Sequence, residues 1–204
     1  MPNHDDLAPT HPKGFARAVA LVAVLNLAYF TVEISAALEL GSVSLFADGV
    51  DFLEDASINL IILLSLAASV TFQRRAGHLL AILMLAPALG ALITAWSKLS
   101  HGGAPDPEIL GVVGFGALAV NMLCALMLVR FRQHGSNLAK AAFLSARNDV
   151  FANLAIITAA ALTMRYPSFW PDLLVGLGIF AMNASAAQEV WAASSASVAN
   201  APKP

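Results

Sequence analysis

The chain has 204 residues, of which 58% are hydrophobic and only 12% charged, with a mean hydropathy of +0.73. Soluble domains carry roughly a quarter charged residues, so this composition excludes an ordinary soluble globular protein and indicates an integral membrane protein. A net charge of −2 without a basic block or a basic-aromatic patch excludes nucleic acid as a partner, and the single cysteine, Cys124, can form no intrachain disulfide.

The apolar residues come in long runs, and a helix needs about 20 of them to cross about 30 Å of hydrocarbon; the ten-residue alternation of a barrel is missing. The expectation is therefore all-α: a polytopic membrane protein with a six-helix transmembrane bundle at 15–192. Cytoplasmic tails are expected at 1–14 and 193–204. The segment before the first span reads as a tail because the apolar run after it is too long for a signal peptide. The spans are expected at 15–38, 44–70, 77–99, 109–131, 138–164 and 171–192, with breaks at Gly41 and at the polar or Gly/Pro-rich segments 73–75, 101–107, 132–136 and 165–171. With both termini inside, the inner side holds Lys13, Arg17, Arg74, Arg75, Arg130, Arg132, Lys140 and Lys203, and the outer side Lys98 and Arg165. That imbalance predicts cytoplasmic termini, and Trp96, Tyr166, Trp170 and Trp191 read as interfacial anchors.

In the first span Asn26, Tyr29, Phe30 and Glu33 recur at i, i+3, i+4 and i+7 and share a face. Glu33 has two readings, an acid reaching the outer interface or a proton-handling group on the access path. The second span places Asp48, Asp51, Glu54 and Asp55 inside an apolar run. At about 100° per residue Asp48, Asp51, Asp55 and Asn59 fall within an arc of roughly 80°. Each carboxylate at bilayer depth costs about 2.5–3.5 kcal/mol, so the stripe needs a partner, a cavity or a cation.

The third and fourth spans hold no ionisable residue away from their ends, and Asn121 is expected to make an interhelical hydrogen bond. The fifth span repeats the second-span pattern, with Ser145, Asp149 and Asn153 at i, i+4 and i+8. At 1.5 Å per residue Asp51, Asp55 and Asp149 lie about 10–17 Å into their spans, near mid-bilayer. Three carboxylates there repel one another unless a divalent cation joins them. Arg147, the competing counter-charge, points about 200° away from Asp149.

These residues resemble the cation diffusion facilitator family: Asn26, Phe30 and Glu33 in the first helix, Ser42-Val43-Ser44-Leu45-x-Ala47-Asp48-x-x-Asp51-x-x-x-Asp55 in the second, and a polar residue four before Asp149 in the fifth. The resemblance implies efflux of a divalent cation by exchange for protons, through a site built from Asp51, Asp55, Ser145 and Asp149. Asp48, Asn59, Asn153, Glu33 and Asn26 are then expected along the access path. Relatives that move zinc commonly carry histidine where Ser145 stands. An all-oxygen set leans toward manganese, magnesium, iron or cobalt rather than zinc. No prosthetic group is expected; the partners are the lipid bilayer, divalent metal ions and protons. The cytoplasmic domain that typical members carry after the sixth helix is not expected here, so a homodimer would be held by membrane helices alone. The implied location is a bacterial inner membrane. Two rival readings are a non-transporting membrane metal sensor or scaffold, and an intramembrane enzyme, for which no HExxH motif exists.

Overall fold

In a computed structural model of the protein six α-helices follow in chain order among the described residues: α1 Phe15–Leu40, α2 Val43–Ala67, α3 Val70–His101, α4 Pro107–Val129, α5 Asn137–Arg165 and α6 Trp170–Asn183. The structure describes residues 14–67, 69–129, 131 and 137–183, without the side chains of 65–67, 70, 73–74, 77, 80–81, 83–87, 137–148 and 183. Both expected tails except Gly14 lie outside the described residues, as do Trp191 and the last part of the expected sixth span.

The expected break at 73–75 is in fact helical. The chain turns at Ser69, whose hydroxyl caps α3 by accepting from the Phe72 N–H at 3.4 Å, and Gln73, Arg74 and Arg75 follow inside the helix. Gln and Arg are good helix formers and Ser is a preferred cap, so local propensity overrides polarity. At α4 the helix starts earlier than hydropathy indicates, because Asp106 accepts from the Glu108 and Ile109 N–H groups at 2.9 and 3.1 Å and Pro107 takes the first position. Gly41, at φ 57°, ends α1 in the left-handed conformation that a glycine adopts without strain.

Neighbouring helices close a ring: α1 packs on α2, α2 on α5, α5 on α4, and α4 on α1. Helices α3 and α6 flank the ring, both against α2, which makes α2 the most enclosed element. Helices α1 and α4 are each long and apolar enough to cross a membrane. Large apolar side chains such as Val24, Ile93, Trp96, Val112 and Phe115 point outward, as expected of a surface facing lipid.

Two apolar clusters fill the bundle ends. One joins the start of α1 to the ends of α2 and α4, through Phe15, Val19, Val22, Ile62, Cys124 and Leu128. The other joins the end of α1 to the starts of α2 and α4 and the middle of α5, through Ala37, Leu45, Leu110, Val113 and Ile156. Asn26, Asp51, Asp55, Asn121 and Asn153 are buried in the band between them.

The start of α2 is fixed from outside its own sequence. Asp172, fully buried in the first turn of α6, accepts from the Ser42 and Ser44 hydroxyls at 2.6 Å each and from the Val43 and Ser44 N–H groups at 2.9 and 3.1 Å. One turn on, an added Cβ at Gly176 would lie 2.6 Å from the Ser44 nitrogen and from the Val43 carbonyl carbon, so the two backbones touch. Lys98, at the end of α3, lies in the field of Asp172 and donates to the Gly103 carbonyl at 2.8 Å. The depth of every α2 side chain is therefore set by α6.

Candidate cation site

Asp51 and Asp55, 5% and 3% exposed, sit one helical turn apart on α2. Asp149 on α5 is partly buried and faces them: its carboxyl is within hydrogen-bonding reach of Asp55, and it shares a mutual repulsion with Asp51. The three acids expected to converge are thus neighbours across the α2–α5 seam. Among the described residues no three acidic, histidine or cysteine side chains close to coordination distance of one point. Ser145 lies on α5 one turn before Asp149, and its side chain is outside the described residues.

Asn26 was expected along the access path, but it reaches the centre itself. Its amide donates to Asp55 Oδ2 at 3.4 Å, and its own oxygen lies 3.8 Å from the Cys124 sulfur, the thiol donating. Cys124 is therefore a buried member of a thiol–amide–carboxylate chain spanning α4, α1 and α2. Its spacing alone does not show this, because only the α1–α4 contact brings it to Asn26.

Asn59 and Asn153 mirror each other. Each lies four residues after a site aspartate and donates its amide to that residue's backbone carbonyl, Asn59 to Asp55 at 2.7 Å and Asn153 to Asp149 at 2.6 Å. Each side-chain oxygen is left buried without a partner, and so is that of Asn121, where an interhelical hydrogen bond was expected. Back-bonding to the preceding turn is the local alternative that asparagine has in a helix.

Glu33 is fully buried, so it does not reach an interface as one reading expected. It meets Asp48 across the α1–α2 seam, next to Gly49, where an added Cβ would lie 3.9 Å from Glu33 Cβ and only 2.7 Å from Ile34 Cδ1. Asp48 is also fully buried, and it too lies in the mutual field of Asp51 and Asp149.

Comparison with known families finds that the cation efflux transmembrane domain matches residues 19–196. The chain belongs to the cation efflux family. That match runs from within the first turns of α1 past the end of α6, so the acidic band lies wholly within the cation efflux domain. Members of this family are metal-cation transporters rather than enzymes, and the protein is a cation efflux transporter embedded in a membrane. No curated protein matches the chain.

Proposed function

We propose that the protein exports a divalent cation in exchange for protons, with the ion held by Asp51, Asp55 and Asp149 and by Ser145 as a weaker fourth ligand. Asn26 orients the Asp55 carboxylate, and Asn59 and Asn153 line the path on either side. The observation that carries this reading is the convergence of Asp51, Asp55 and Asp149, buried or partly buried, across the α2–α5 seam, where three carboxylates repel one another without a cation. Among the described residues the side-chain oxygens of Asn59 and Asn153, one turn beyond Asp55 and Asp149, are also buried without a partner.

Protons and a divalent ion compete for the same carboxylates, because the ligand form is deprotonated. Protonation from the outer side cancels the charge that holds the ion, so an inward proton gradient drives export. The excess of basic residues on one side supports cytoplasmic termini, and the membrane on this reading is a bacterial inner membrane.

The test is flux into proteoliposomes under an imposed pH gradient, with manganese, zinc, cobalt, iron and magnesium in turn. Wild-type protein is expected to move at least one of these, and Asp55→Asn to abolish the movement. Binding without flux would assign the protein to sensing rather than transport. Unchanged flux in Asp55→Asn would remove the α2–α5 site from the path.

A further inference from the structure

We propose that Glu33 and Asp48 form a separate proton-carrying pair, one shared proton between two carboxyl groups, lying between the cation ligands and the α1–α2 turn. This deepens the antiport reading and rests on it, because it names where the exchanged proton resides.

The inference starts from the surroundings of the two groups. Both residues are completely buried, and none of their four oxygens meets a donor. What each carboxyl faces is the other, across the seam that Gly49 keeps narrow. The donors that could have satisfied them are used elsewhere. The Tyr29 hydroxyl, one turn before Glu33, donates to the Val113 carbonyl at 2.7 Å, and the Asn26 amide donates to Asp55. Lys98, the buried cation among the described residues, is engaged at Gly103 beside Asp172. Two ionised carboxylates in contact and out of water repel each other strongly, and a single proton removes that repulsion by turning one of them into a donor.

The pair is offset from the cation ligands. Asp48 is one turn before Asp51, and Glu33 belongs to α1, whereas Asp149 belongs to α5. The ionisable groups that face it are Tyr29 on α1, Asp51 on α2 and Asp149 on α5. Through the last two, the charge of the pair is felt by the ligands. With the proton bound, the pair carries one negative charge; when the proton leaves, a second appears beside Asp51 and favours a cation there. One proton released from the pair thus accompanies one cation bound, and no covalent bond other than O–H is broken.

The experiment measures the proton itself, independently of transport. Infrared difference spectra of purified protein at neutral pH are expected to show a protonated-carboxyl stretch, lost in both Glu33→Gln and Asp48→Asn and kept, at a shifted frequency, in Glu33→Asp. Calorimetry with manganese is expected to show fewer protons released per manganese bound in both amide variants than in wild type, with a loss of affinity smaller than the ~10-fold or greater loss in Asp55→Asn. In proteoliposomes the amide variants are expected to lose gradient-driven flux by at least ~10-fold while retaining manganese–manganese exchange across a membrane without a gradient. A stretch that persists in both variants overturns the pair, and so does ligand-like loss of manganese affinity, or gradient-driven flux at the wild-type rate. Should wild-type protein show the stretch but no gradient-driven flux, the antiport reading fails, and the proton is held there without being carried.

Discussion

Replacing Asp172 tests the claim that α6 sets the position of α2. In Asp172→Ala four hydrogen bonds vanish, but their donors do not suffer equally. The Ser42 and Ser44 hydroxyls are 3.3 Å apart and can turn toward each other, whereas the Val43 and Ser44 N–H groups are fixed by the helix and keep no acceptor. A stranded buried donor costs about 1–3 kcal/mol, so two of them predict a loss of roughly 4 kcal/mol. Removing a negative charge from the N-terminus of α2 adds about 0.3–1 kcal/mol. Asp172→Asn keeps an oxygen for the hydroxyls and the Ser44 N–H but turns an amide N–H toward that of Val43, so about half the loss is expected. Thermal unfolding in detergent, compared across wild type and the two variants, gives the ranking. A loss under about 0.5 kcal/mol in Asp172→Ala, or a more harmful Asn than Ala, would refute the reasoning.

Gly176→Ala places a methyl group against the backbone of Val43 and Ser44, where no side chain can swing aside, so a loss of about 1–3 kcal/mol is expected in the same unfolding assay, and a neutral result would contradict the close approach. Ser145→His supplies the nitrogen ligand that zinc favours; calorimetry is expected to show zinc affinity rising by at least ~10-fold relative to manganese, and no change would remove position 145 from the ligand set. Asn26→Ala takes away the donor on Asp55 Oδ2 and is expected to weaken cation binding by about 10-fold without unfolding the protein. Because protons and cation compete for carboxylates, the apparent dissociation constant is expected to rise as pH falls from about 8 to about 6, and titrations showing the opposite slope would exclude carboxylate ligands.

Much of this structure was legible in the residues, for identifiable reasons. Helical period alone aligns Asp51 with Asp55 and Ser145 with Asp149, and hydropathy alone separates the helices, because both depend on near neighbours in the chain. The start of α3 departs from the hydropathy pattern because Ser69 caps the helix ahead of the polar residues 73–75. The role of Asp172 is hidden in the sequence for a different reason. Its partners lie about 130 residues earlier, and nothing in the local pattern around Trp170 and Pro171 distinguishes a carboxylate that caps its own helix from one that caps another. The roles of Asn26 and Cys124 likewise exist only once α1, α2 and α4 are packed.

The long-range contacts also explain how a helix carrying four acids can hold its place in the bundle. Repulsion among Asp48, Asp51, Asp55 and Asp149 pushes α2 away from α5, against the apolar cluster that Leu45 and Phe46 share with Ile156 of α5. A further opposing force comes from its start, where Asp172 and the backbone contact at Gly176 bind α2 to α6, which itself packs on α5. Apolar packing around Ile62 secures the other end. The acidic middle is thus held between two anchored ends, and in the proposed antiport a bound cation or proton would change the force between α2 and α5 while both anchors stay in place. On that proposal the arrangement would turn a change of charge at the site into a change of separation at one seam, the kind of displacement alternating access requires.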